Sequence, residues 1–172
     1  MNAFESGQRK LIPAVLIYAE RDNQFLMLHR NAARTPDFED YHKGKWNGLG
    51  GKCEANESPL ETAMRELEEE SGLKLEPSRF KALGTLQFPD FKAHKNEDWI
   101  VFVFLVDVPK GFEAWQRGPE GDLVWIVKEK VLGLNLWAGD KYFIPMLLER
   151  RPFLATLWYE GQDVRRHWIQ KL

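Results

Sequence analysis

Cysteine is nearly absent from this chain. One residue, Cys53, stands alone in 172, which excludes an internal disulfide and fits a reducing, cytoplasmic setting. Excess charge is absent too. Twenty-four Lys and Arg face 26 Asp and Glu, for a net charge of −2, so no global field draws the protein to a nucleic-acid polymer or a membrane surface. Long apolar runs are missing. The stretch Leu11–Ala19 is too short to span a bilayer and ends in charge, and the first twenty residues lack a signal-peptide layout. There is no repeat, low-complexity tract or linker, so a single domain over residues 1–172 is expected. What remains is a chain with 44% hydrophobic and 13% aromatic content, enough for a sizeable core, whose expected partner is a small anionic molecule. Its oligomeric state stays open.

The most informative segment is GKCEANESPLETAMRELEEESGL, residues 51–73. Ser58-Pro59-Leu60-Glu61 is a helix start, with Ser as N-cap, Pro in the first turn and Glu closing a capping box. Gly72 is the matching stop. Leu60, Ala63, Met64 and Leu67 recur at helical spacing and form one apolar stripe. Glu66, Glu69 and Glu70 repeat that spacing and share an arc of about 100° flanking the stripe. Three like charges so close repel, a cost a bound cation would offset. Such carboxylates hold hard divalent cations, and those in turn hold phosphates. Glu57, before the helix, and Arg65, two turns into it, are placed for an ion pair bracing loop against helix.

Elsewhere the pattern predicts strands at Leu11–Tyr18 and Phe25–His29 about a turn at Arg21-Asp22-Asn23, a polar loop over Asn31–Lys45, and an extended piece at Trp46–Leu49. Strands at Ala82–Phe88 and Trp99–Val106 flank a charged connector, Asp90–Asp98. Then come a strand at Leu123–Val127, a helical turn at Lys128–Leu132, a helix at Lys141–Arg150, and a closing hairpin from Ala155–Tyr159 and Val164–Ile169. Hairpins mixed with helices point to an α/β fold with a mixed sheet and helices on both faces.

Residues 51–73 resemble the Nudix box, the signature of hydrolases acting on nucleoside diphosphates linked to another group. The resemblance implies an α/β/α sandwich around a mixed, partly open sheet, and a Mg²⁺ or Mn²⁺ cofactor. It implies that Glu66, Glu69 and Glu70 bind the metal, with the carbonyl of Gly50 or Gly51 as a further ligand. Glu70 or a nearby carboxylate would orient or deprotonate water. Arg65 belongs to the catalytic motif, and Gly51, Glu57 and Gly72 are its structural positions.

Three further stretches resemble the oxidised purine nucleoside triphosphatases of the MutT type: KWNGLGGK at 45–52, LWAGDKYFIPMLL at 136–148, and YEGQD at 159–163. By that resemblance Asn47 reads the purine edge, Trp137 stacks on the base and Phe88 lines the pocket. Arg30 and Lys52 lie toward the sugar and phosphates, and Glu120 is a metal-binding or water-orienting group outside the box. The chain departs from the pattern where two adjacent carboxylates are expected: Ala138-Gly139-Asp140 supplies one. A lone ionised Asp140 would accept hydrogen bonds only, favouring a guanine-type edge. The loop Asn31–Lys45 is also longer than the pattern's. Two other readings stand beside this one: an ADP-ribose or nucleotide-sugar pyrophosphatase, suggested by Pro89 beyond the box, and a non-catalytic nucleotide-binding module, which would normally lack a box carboxylate.

Overall fold

The computed structural model describes residues 1–31 and 43–172, so most of the expected Asn31–Lys45 loop lies outside the described residues. The strands are β1 (Lys10–Arg21), β2 (Gln24–His29), β3 (Trp46–Asn47), β4 (Phe80–Lys92), β5 (Glu97–Asp107), β6 (Arg117–Gly118), β7 (Gly121–Val127), β8 (Phe153–Glu160) and β9 (Asp163–Lys171). The helices are α1 (Pro59–Ser71), α2 (Lys128–Val131) and α3 (Asp140–Leu148). One sheet runs β6-β7-β2-β1-β5-β4-β8-β9, with β3 paired to β2. It is mixed: β1–β5 and β4–β8 are parallel and the other pairings antiparallel.

Alternation along β1 explains the layers. Ala14 and Tyr18 point into a core built with Phe143, Ile144, Met146 and Leu147 of α3. Val15, Ile17 and Ala19 point into a second core with Ala63 and Leu67 of α1. A central strand buried on both faces reads as a continuous apolar run. The two cores on opposite sides of the sheet give the α/β/α sandwich.

The strand pair β1–β2 is joined only near its turn, Glu20 opposite Phe25 and Arg21 opposite Gln24, with Asp22 and Asn23 at positive φ. Beyond that the two strands part. The freed edge of β1 takes up residues 49–53 instead: Leu49 and Ile17 exchange both backbone bonds, Val15 N–H donates to Gly51 O at 2.8 Å, and Cys53 N–H donates to Pro13 O at 3.0 Å. Buried backbone groups need partners, and this stitched segment supplies them. It also opens the sheet into a cleft and delivers the chain to α1.

The charged stretch expected to connect β4 and β5 is mostly strand. The hairpin extends to Lys92 and Glu97, and the ladder skips between Phe88 and Lys92, where Pro89 cannot donate and Asp90 takes φ 57°. Only residues 93–96 turn.

Helix α1 begins and ends where expected. Glu61 N–H donates to Ser58 Oγ at 3.2 Å, Ser58 N–H donates to Glu61 Oε2 at 2.8 Å, and Gly72 closes the helix at φ 74°. Its buried face is rotated from the expected stripe. Thr62, Ala63, Leu67, Glu70 and Ser71 are buried, while Leu60 and Met64 are half-buried. Polar groups can turn inward because each is matched. Thr62 Oγ1 donates to Glu57 Oε2 at 2.8 Å, and Ser71 Oγ donates to Leu67 O at 2.6 Å.

Candidate active site

The cleft between the parted strands deepens into a cavity of about 940 Å³. Its walls bring together Arg30, Asn47, Gly50, Gly51, Lys52, Glu66, Glu70, Phe88, Glu120, Trp137 and Asp140, all singled out in the sequence. Glu69, Glu57, Arg65 and Gly72 lie outside the lining. Glu57 and Arg65 form the brace expected of them. Arg65 donates through Nε to Glu57 Oε1 at 2.8 Å, through one terminal nitrogen to Glu57 Oε2 at 2.9 Å, and to the Lys52 carbonyl at 3.2 Å. This fork ties loop, helix and stitched segment together. It holds the Glu57 carboxyl down at about 2, chiefly through the Arg65 hydrogen bonds and then the Glu54 N–H.

The three box carboxylates divide. Glu70 is buried and accepts the Gly50 N–H at 2.8 Å. Burial, with Glu120 and Glu66 adding repulsion, pushes its carboxyl up to about 8. Glu66 is half-buried and bonded to Arg65 at 2.7 Å; burial raises its pKa from the ordinary carboxylate value, against the pull of Arg65. Glu69 faces solvent, its side chain 58% exposed and paired with Arg65 at 3.2 Å, so it stands apart from the other two. The three share one arc of the helix as expected, and its roll turns the Glu70 edge of that arc inward and the Glu69 edge to solvent. Glu120 joins Glu66 and Glu70 at the cavity wall, where Glu54 and Asp140 are the other carboxylates.

Glu120 arrives by a close backbone approach. The β6–β7 turn packs on the last turn of α1, and a Cβ on Gly118 would overlap the Glu70 carbonyl. Arg30, expected beside the sugar or phosphates, pairs with Glu120 at 2.6 Å, both side chains largely buried. Gly50 sits at φ 146°, and a Cβ there would overlap the Val15 carbonyl. Its neighbour Gly51 gives its carbonyl to Val15 N–H. Of the two candidate carbonyl ligands, Gly50's is the one not drawn into that ladder.

Among the described residues no three Asp, Glu, His or Cys side chains are already gathered as a metal cluster. The donor set still suits a hard cation. Glu66, Glu70 and Glu120 offer carboxylate oxygens that repel one another electrostatically at the wall of one cleft, beside the Gly50 backbone. Mg²⁺ or Mn²⁺ would relieve that repulsion.

Another part of the lining is assembled by the segment before the box. Lys45 Nζ donates to Leu136 O at 3.0 Å and to Asn135 Oδ1 at 3.1 Å, and lies 5.2 Å from the Trp137 ring centre. Trp46 N–H donates to Asn135 O. These ties set Asn47 and Trp137 in one wall. Asp140, the first residue of α3, is buried and accepts the Trp137 N–H at 3.2 Å. Burial pushes its carboxyl up to about 7, against the pull of that hydrogen bond and of Lys45. Burial thus favours the protonated form of Asp140, which can donate as well as accept, against the acceptor-only carboxylate expected from the sequence.

Phe91, Lys92, Trp99 and Tyr159 are among the further residues that line the cavity and that sequence reasoning did not assign to it. Trp99 opposes Phe88 across the β4–β5 ladder, and Phe91 meets Trp99 edge-on at 5.4 Å. Lys92 and Lys52 each hold an ammonium about 5 Å from the Trp99 ring centre. Burial, then Lys52, lowers the Lys92 pKa.

A cleft lined by carboxylates from a capped helix, a glycine-gated loop and a β6–β7 turn is what the box motif requires of its fold. The NUDIX domain family matches residues 10–147. The chain belongs to the Nudix hydrolases. It is similar to the oxidized purine nucleoside triphosphate hydrolase of Danio rerio, 32% identical over 70% of this chain and 74% of that protein. It is also similar to the CTP pyrophosphohydrolase of Escherichia coli, 29% identical over 80% of this chain and 90% of that protein. In structure it resembles the mutator MutT protein of Bacillus halodurans, with a TM-score of 0.77 and 28% identity, covering 92% of this chain and 97% of that one. A Nudix hydrolase is an enzyme acting on small nucleotide substrates, and this one is a pyrophosphohydrolase of MutT-like form. Among the described residues no helix is long and apolar enough to cross a membrane.

Proposed function

We propose that this Nudix hydrolase cleaves purine nucleoside triphosphates, oxidised ones among them, to the monophosphate and pyrophosphate. One observation carries the reading. A single cavity is lined both by the acidic groups Glu66, Glu70 and Glu120 and by the polar and aromatic groups Asn47, Trp137 and Asp140. A nucleotide combines the matching parts: a polyphosphate and a flat, hydrogen-bonding base.

In this reading Trp137 and Phe88 supply flat apolar surface for the base, and Asn47 and Asp140 read its edge. Lys52 and Arg30 offset phosphate charge. Mg²⁺ or Mn²⁺, held by Glu66, Glu70, Glu120 and the Gly50 carbonyl with Glu69 at the solvent rim, would neutralise the phosphates and lower the pKa of the attacking water. Glu70, aimed inward and oriented by the Gly50 N–H, would in its ionised form take the proton from the attacking water. Arg65 keeps the loop in register with the helix through Glu57. The lone cysteine and small net charge support a cytoplasmic enzyme folded as one domain.

The test is a substrate panel under Mg²⁺: pyrophosphate release from dGTP, 8-oxo-dGTP, dATP, 2-oxo-dATP and CTP, against AMP release from ADP-ribose. Triphosphates, with purines leading, should be preferred. Faster AMP release from ADP-ribose would overturn the reading in favour of a diphosphate-linked substrate, and a lead by CTP would overturn the purine assignment.

A further inference from the structure

Gly139 and Tyr159 are locked together beside Asp140. The Gly139 N–H donates to the Tyr159 hydroxyl at 2.8 Å, and a Cβ on Gly139 would overlap that oxygen and crowd Leu157 Cδ1 at 2.9 Å. The segment Ala138-Gly139-Asp140 therefore carries one carboxylate, and the space a side chain at 139 would fill holds a phenolic oxygen. The Tyr159 ring is fixed by neighbours, with Phe88 and Phe91 centres each 6.1 Å away. Tyr159, Trp137 and Asp140 line the same cavity.

A phenol offers one proton and two lone pairs. Gly139 uses one lone pair. Among the described residues the hydroxyl's only hydrogen bond is the one it accepts, so its proton is available to a ligand.

We propose that Tyr159 is a base-reading residue: its hydroxyl donates to a carbonyl oxygen on the base edge, while Asp140 takes the adjoining N–H. The pair then selects keto purines, guanine and hypoxanthine, over the amino purine adenine. An amino group at the same place cannot accept the phenolic proton. This rests on the purine nucleotide reading above, yet concerns recognition of the base and not the bond that is cut.

The experiment is calorimetric titration of the whole protein with dGMP, dIMP and dAMP, comparing the native chain with Tyr159→Phe. Hypoxanthine keeps the carbonyl and the N1–H but lacks the 2-amino group, so it isolates the proposed contact. Native protein should bind dIMP more tightly than dAMP. Tyr159→Phe should weaken dIMP and dGMP on the order of tenfold, the scale of one hydrogen bond, and weaken dAMP less, since its amino group can meet only the lone pair that Gly139 leaves. Gly139→Ala, which displaces the hydroxyl, should lower the same ratio. Combined with Tyr159→Phe it should lower it no further, because both act on one contact. A dIMP-to-dAMP ratio that is the same in native protein and Tyr159→Phe would overturn the proposal, as would equal loss for all three nucleotides. Failure of the triphosphatase reading would show separately, as absent pyrophosphate release with the monophosphate ratio intact.

Discussion

Glu70 reaches back from α1 to accept the Gly50 N–H at 2.8 Å. That bond couples the helix to the glycine whose φ of 146° lets the chain pass against β1. It fixes a buried carboxylate at the wall of the cleft and supports its assignment as the proton acceptor.

Glu70→Gln keeps the shape and can still accept the Gly50 N–H, but it loses the charge. Turnover at saturating Mg²⁺ should fall on the order of 10²-fold or more, with thermal stability maintained or raised because repulsion from Glu66 and Glu120 is relieved. Steady-state kinetics and a thermal melt check both halves. Near-native turnover would transfer the role to another group, Glu120 first.

The Arg65–Glu57 fork makes stability depend on pH in a defined sense. Glu57 is held at about 2 in the folded protein, below its unfolded value, so its contribution is complete above about pH 4.5 and is lost as pH falls toward 2. Denaturant melts of native protein and Glu57→Gln should differ most above pH 5 and converge near pH 2. A gap that persists at pH 2 would mean that the loop, not the ion pair, carries the difference.

Asp140 behaves in the opposite sense. Burial raises its folded value to about 7, so between pH 4 and 7 the folded state holds a proton that the unfolded state has lost, and stability falls as pH rises. Asp140→Asn should be stabilised relative to native protein at pH 8 compared with pH 4. The same titration should reach selectivity. Above pH 7 the carboxylate accepts only and guanine substrates should gain; below it the acid can also donate, and the preference over adenine should narrow. Measuring kcat/KM for dGTP and dATP from pH 6 to 8.5 checks this.

Gly118→Ala would drive a methyl into the Glu70 carbonyl. The β6–β7 turn must then lift from α1, at a cost of about 1–3 kcal/mol, and carry Glu120 with it. Activity should fall more than the stability loss alone accounts for. Activity of the still-folded fraction equal to native would remove Glu120 from the mechanism.

Chelation with excess EDTA should abolish turnover, and Mg²⁺ or Mn²⁺ should restore it, since the Glu66, Glu70 and Glu120 oxygens form a hard-ion donor set. Full activity after thorough chelation would exclude the metal role.

Much of this was local and therefore visible in the chain itself. The capping box at Ser58 and Glu61, the stop at Gly72, the Glu57–Arg65 brace and the two-sided burial of β1 depend on spacings of a few residues and on hydrogen bonds made within one turn or loop. The capped helix, the motif it carries and the succession of most strands along the chain were legible in this way. The tertiary structure decided what depends on register between distant segments. Which way α1 rolls set Glu70 inward and Glu69 outward, because that face had to meet both the stitched loop and the Gly118 turn. The parting of β1 from β2 made the cleft. The β4 bulge brought Phe91 and Lys92 to it, and the final hairpin placed the Tyr159 hydroxyl against Gly139. None of these contacts has a local period to betray it, and the burial that moves Asp140 to about 7 exists only once α3 has packed against the sheet.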